Sequence, residues 1–203
     1  MAARLRTGEE EIDRGMDSDA SLLMSTWKIP VDYKVYKGRL WGDLTVYDAY
    51  GNLVYRVSGR SSSSSPRCIK TLFDAAGTPL ISVANLDTGW QGFRGNSWDS
   101  KDLVFTVQKA VYSTFKTEII IFVAGGSVGD PRWTYRLIGS PFRRSCTIYR
   151  ENSIVAQTNL LYKLRKVIYS RHKFRVTVYP EVDHVLVMAM LVIFFGGSST
   201  LLL

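Results

Sequence analysis

One stretch near the end of the 203-residue chain restricts the fold more than any other: DHVLVMAMLVIFF at 183–195, preceded by Pro180 and followed by Gly196-Gly197. Asp183 is placed to accept a bond from an amide of a first helical turn and Gly196 to end the helix, so the pattern predicts a helix over about 182–195. The 11 residues from Val185 to Phe195 are all uncharged. They cover roughly 17 Å, against roughly 30 Å of bilayer hydrocarbon. A helix that is apolar on every face, yet too short to span a membrane, has to be enclosed by protein. For a lone helix the natural enclosure is a sheet that closes around it.

The rest of the sequence supplies such a sheet. LTVYDAYGNLVYRV (44–57) and KTLFDAAGTPLISV (70–83) repeat one design, a β-rich run, Asp, two residues, Gly, one residue and a second run, which predicts two hairpins with Asp and Gly in the turn. CTIYRENSIVAQT (146–158) reads as a third copy in which Arg150-Glu151-Asn152 takes the place of the glycine turn. DLVFTVQKA, RWTYRLIGS and KFRVTVYP alternate as half-buried strands, and the continuous run TEIIIFVAGG predicts a strand buried on both sides. The sum is about a dozen strands and one helix, a mainly β closed barrel around a buried C-terminal helix. Residues 1–21 are polar and acidic without hydrophobic period and are expected to be a disordered leader. Residues 22–195 are expected to form one barrel domain and 196–203 a tail. The Ser-rich SGRSSSSSPR (58–67) is a loop.

Charge is unevenly spread. The first 20 residues hold three Arg against six acids, whereas 131–180 hold 11 Lys/Arg and one acid, Glu151. A regional positive field favours a polyanionic partner. The residues expected to bind it are Arg143, Arg144, Lys163, Arg165, Lys166, Arg171 and Lys173, bracketing a strand at Val167-Ile168-Tyr169, with Arg175 and Tyr179 flanking. Anionic phospholipid or phosphoinositide is the favoured ligand. Nucleic acid is the alternative, disfavoured because no recognition helix, zinc knuckle or RNP motif accompanies the basic residues.

Catalytic signals are sparse. There are two histidines, His184 at the helix start and His172 between Arg171 and Lys173, and neither stands in a nucleophile, P-loop, zincin or dinucleotide motif. Cys146 lies on a strand pattern and reads as a small buried residue. The expectation is a non-enzyme with no catalytic residues, cofactor, metal or transmembrane span. A monomer is expected, in a reducing compartment, cytoplasmic with peripheral attachment to the plasma membrane or a nuclear location, since two isolated cysteines and no Asn-x-Ser/Thr sequon argue against secretion.

Four separated blocks, LTVYDAYGNLVYRV, WQGFRGNSWDSKDLVFTVQKA, YRLIGSPFRRSCTIY and FRVTVYPEVDHVLVMAMLVIF, together resemble the plant LURP-one-related family over roughly Trp27 to Phe195. That resemblance implies the fold of the tubby C-terminal domain and the phospholipid scramblases, a twelve-stranded barrel threaded by its C-terminal helix. It also implies a role in plant defence and a membrane-associated, phosphoinositide-binding regulator; the alternative that the basic surface leaves open is a nucleic-acid-associated transcriptional regulator. The resemblance carries no lipid-binding residues onto this chain.

Overall fold

A computed structural model of the chain describes residues 29–38, 43–60, 69–86, 89–112, 116–124, 134–160 and 172–196. Twelve strands form one closed, wholly antiparallel barrel. In chain order they are β1 (Val31–Lys37), β2 (Leu44–Tyr47), β3 (Leu53–Arg60), β4 (Ile69–Asp74), β5 (Pro79–Leu86), β6 (Gly89–Arg94), β7 (Leu103–Tyr112), β8 (Thr117–Val123), β9 (Thr134–Ser140), β10 (Ser145–Arg150), β11 (Ser153–Leu160) and β12 (Lys173–Val178). Each strand pairs with its sequence neighbours, and β12 closes on β1 with Tyr33 opposite Val176 and Val35 opposite Phe174. Helix α1 (His184–Gly196) runs inside, with Leu186 to Gly196 all buried.

Local chemistry accounts for these elements. The two Asp-Gly hairpins form as the repeat predicts: Asp48 accepts from the Asn52 amide at 2.8 Å and Asp74 from the Thr78 amide at 2.7 Å. Gly51 and Gly77 take φ of +94° and +91°, a region that side chains disfavour. In the third hairpin Glu151 adopts φ +56° where a glycine would be cheaper. The alternation of β12 is as read, with Phe174, Val176 and Val178 inward and buried. One expectation needs correction: β8 buries only its inward Thr117, Ile119 and Ile121, while Glu118, Ile120 and Phe122 stay half-exposed. A barrel strand has a packed interior on one side and no second layer on the other.

The helix fills the interior. Phe174 and Phe195 meet at 4.8 Å between ring centroids and Phe194 and Phe195 at 5.2 Å. An apolar cavity of about 10 Å³ between Val35, Leu72, Phe174 and Met188 is about the size of one water and offers it no polar partner. Solvent-facing chemistry is therefore found at the two barrel ends. Strict up-and-down order sends alternate connections to opposite ends: the N rim, where α1 begins, and the C rim, where it stops. Among the described residues no helix is long and apolar enough to cross a membrane.

Candidate functional site

The N rim is built from groups that satisfy one another. Asp183 Oδ1 accepts from the amides of Val185 at 2.8 Å and Leu186 at 3.1 Å, two of the orphan donors of a helix start. The Tyr33 hydroxyl and His184 Nδ1 are hydrogen-bonded at 2.7 Å, and the rings meet edge to face. Burial lowers the His184 pKa against an opposing pull from Asp183. Burial also raises the Tyr33, Tyr55 and Tyr135 hydroxyls. Asp48 and Asp74 are held below the usual carboxylate range, Asp48 first by the Asn52 side chain and Asp74 first by the Thr78 amide.

The C rim gathers cations instead. The inward parity of β1 runs Tyr33, Val35, Lys37, so Lys37 points into the barrel mouth and donates to the Phe195 carbonyl at 3.4 Å. On β4, Lys70 shares the inward side with Leu72 and is only 4% exposed; a methyl group on Gly196 would collide with its Nζ. Arg144, at φ +53° in the β9–β10 turn, donates to the Pro141 carbonyl at 2.9 Å and sits 5.7 Å from the Phe195 ring centroid. Burial first, then Arg144 and Lys70, pull the Lys37 ammonium down to about 8. Lys173 lies 4.8 Å over the outward ring of Tyr36, next to Lys37.

Of the residues expected from sequence, Arg143 is exposed on the β9–β10 turn, and Arg144 and Lys173 are half-buried at the same rim. Lys163, Arg165, Lys166 and Arg171, with the strand read at Val167-Ile168-Tyr169, lie outside the described residues; the strands that flank their segment, β11 and β12, meet it at the C rim. The two flanking residues do not join the cluster. Arg175 faces outward to Asp32 at 3.6 Å, and Tyr179 is at the N rim, where its hydroxyl accepts from Gln157 at 3.1 Å. Cys146 is buried as read, and burial pushes its thiol up. Sequence reasoning missed Lys37 and Lys70. Their signal is parity: each continues the inward set of its strand at the C-rim end, Lys37 as the last residue of β1 and Lys70 as the second of β4.

Among the described residues, the strand connections at the two rims differ in charge. Those of the C rim hold Lys116, Arg143 and Arg144 against Asp43. Those of the N rim hold Asp48, Asp99, Asp102, Glu151, Glu181 and Asp183 against Lys101.

Comparison with known proteins agrees with this architecture. A family model described as LURP-one-related matches residues 31–195. Protein LURP-one-related 7 of Arabidopsis thaliana is 42% identical over 175 residues, 84% of this chain and 91% of that protein. Protein LURP-one-related 15 of Arabidopsis thaliana is 31% identical over 158 residues, 75% of this chain and 71% of that protein. An X-ray structure of an Arabidopsis thaliana protein superposes with a TM-score of 0.60 at 29% identity, covering 85% of this chain and 93% of that one.

Proposed function

Because the chain belongs to the LURP-one-related family, we propose that it is a non-catalytic regulator that docks its C rim on anionic membrane, phosphoinositide-bearing membrane in particular, in the plant-defence setting that the family resemblance implies. The observation that carries this reading is that, among the described residues, Lys37, Lys70, Arg143, Arg144 and Lys173 lie at the C rim while Asp48, Asp99, Asp102, Glu151, Glu181 and Asp183 lie in the N-rim connections. A barrel polarised in this way orients itself before contact, basic end toward an anionic surface and acidic end away. The β9–β10 turn adds Phe142, which is 62% exposed and followed by Arg143 and Arg144. Such a tip can enter the interfacial layer while its neighbours meet headgroups. The docking residues are Arg143, Arg144 and Lys173, together with Lys163, Arg165, Lys166 and Arg171 of the β11–β12 connection. Attachment is peripheral.

Co-sedimentation tests the proposal. The full chain should pellet with phosphatidylcholine vesicles that also contain phosphatidylserine or a phosphoinositide, not with phosphatidylcholine alone, and salt should release it. Each basic residue near the surface contributes about 1 kcal/mol, so single changes look almost silent. Reversing Lys163, Arg165 and Lys166 together to Glu should lower binding by about two orders of magnitude at unchanged melting temperature. Retention of duplex DNA at moderate salt without vesicle binding would transfer the basic rim to the nucleic-acid reading.

A further inference from the structure

We propose that the two ends of the barrel bind each other between copies: the β9–β10 tip of one copy, Phe142 and Arg143, seats on an N-rim arc formed by Ile29, Tyr50 and Ile154 of a second. The arc plays no part in the membrane reading, and the proposal does not rest on that reading.

The places where large apolar side chains meet solvent are informative. Among the described residues they are Ile29, Tyr50, Trp98, Val111, Phe142 and Ile154, and every one lies in a connection or beside a strand end. Single exposed apolar residues are ordinary, but here the barrel ends collect them and the wall has none. Three share one arc of the N rim. β11, β12, β1 and β2 are consecutive around the barrel, so Ile154 near the start of β11, Ile29 ahead of β1 and Tyr50 in the β2–β3 turn follow one another along it. Tyr50 is 92% exposed and Ile29 74%. The connections of this arc add exposed Glu151, Glu181 and Asp183 and contain no Lys or Arg. Among the described residues neither Glu151 nor Glu181 enters an ion pair. The tip at the other end has the opposite character. Phe142 and Arg143 are exposed, and Arg144 behind them donates to the Pro141 carbonyl, which fixes the turn. The tip thus offers a ring to an apolar arc and a guanidinium to carboxylates, with which it forms charge-assisted bonds, and every molecule carries both halves of the match. Two N rims face to face would oppose carboxylates and two C rims would oppose cations, so the complementary contact is head to tail. Such a contact leaves an unused tip and an unused arc, and it grows into chains unless it closes into a ring. The monomer expected from sequence is then the dilute, high-salt form. A seated tip is hidden from a membrane, so self-association and vesicle binding compete for Phe142 and Arg143.

The test uses the full chain without lipid, followed by sedimentation velocity over a range of concentration. The wild-type average mass should rise above 22.9 kDa with concentration and return to it as salt is added. Two double variants each disable one end: Phe142→Ser with Arg143→Glu removes the tip, and Tyr50→Ser with Ile154→Ser removes the arc. All the substituted positions are exposed, so melting temperatures should be unchanged. Each variant alone should associate at least about tenfold more weakly than wild type. An equimolar mixture of the two should regain association and stop at the dimer, because one intact tip and one intact arc remain between them. A symmetric interface gives no such recovery, and that outcome overturns the proposal. So does a species of monomer mass at every concentration and salt, which assigns the two ends to partners other than this chain, or association that either variant retains in full. Vesicle binding without self-association removes this proposal and leaves the membrane reading standing; self-association without vesicle binding does the reverse.

Discussion

At the N rim Asp183 caps two helix amides, Asp48 and Asp74 each close a turn, and His184 is hydrogen-bonded to Tyr33; at the C rim Lys37, Lys70 and Arg144 gather around Phe195 and Gly196 of the same helix. Both ends terminate one helix and one set of strands, so the requirements of folding are alike at both. What differs is the sign of the charge gathered there. Asp48, Asp74 and Asp183 of the N rim have turn or cap duties that explain their positions. At the C rim Lys37 donates to the Phe195 carbonyl, Arg144 donates to the Pro141 carbonyl and lies over the Phe195 ring, and Lys70 is almost fully buried beside Gly196, so cations from three elements share one helix end.

The strongest way to break the comparison is to remove the element that both rims share. Burying each large apolar side chain is worth about 1.5–3 kcal/mol, and α1 buries Leu186, Val187, Met188, Met190, Leu191, Val192, Ile193, Phe194 and Phe195. Their sum exceeds the net stability of an ordinary domain, about 5–15 kcal/mol. Deletion of 182–203 should therefore abolish cooperative unfolding, seen as loss of a melting transition and of near-ultraviolet dichroism. Met188→Asp, an unpaired charge in the same interior, should come close to the same result. A truncated chain that melts cooperatively would show that the barrel stands without its helix, and both rims would then need another explanation.

Much of this was legible before any coordinates. The enclosed helix followed from its length and uniform apolarity, and the hairpins from Asp and Gly at matched spacing, because those signals are local. The polarity of the barrel was not legible in the same way. Arg143 and Lys173 are 30 residues apart in sequence and reach one rim only because an even number of antiparallel strands separates them. Tyr179 was misplaced for the same reason: it is six residues beyond Lys173, one strand length, and so at the opposite end. Lys37 and Lys70 were overlooked because a lysine at a strand terminus ordinarily reads as solvated. Only the inward parity it shares with Val35 or Leu72 turns it toward the helix.

Two substitutions sharpen the contrast at smaller cost. Gly196→Ala would ordinarily favour a helix, yet its methyl group must displace the buried Lys70 ammonium, so the C rim should lose about 1–3 kcal/mol in denaturant unfolding. Asp183→Ala removes the N-cap and should lose about 1 kcal/mol. If the first proves neutral, Lys70 is free to move outward and the crowding at the C rim is looser than its geometry indicates.

The smallest effect separates the rims by pH. His184 has a lowered pKa, so the folded state resists its protonation: its neutral form carries full stability above the unfolded value of 6.5, and that contribution is lost as pH falls below it. Lys37 is also lowered, to about 8 from 10.5, so its charge burdens the fold below about 8 and the burden lifts as pH rises through the interval. Stability should thus climb in two steps, an acid step owned by the N rim and an alkaline step owned by the C rim. The alkaline step is cleanest below pH 9, because above the ordinary thiol value of 9.0 the raised Cys146 favours the unfolded chain. Denaturant midpoints measured across both windows should show His184→Gln erasing only the lower step and Lys37→Met only the upper, each under about 1 kcal/mol. An upper step that survives Lys37→Met would place the strain on a different cation and detach Lys37 from the cluster around Phe195.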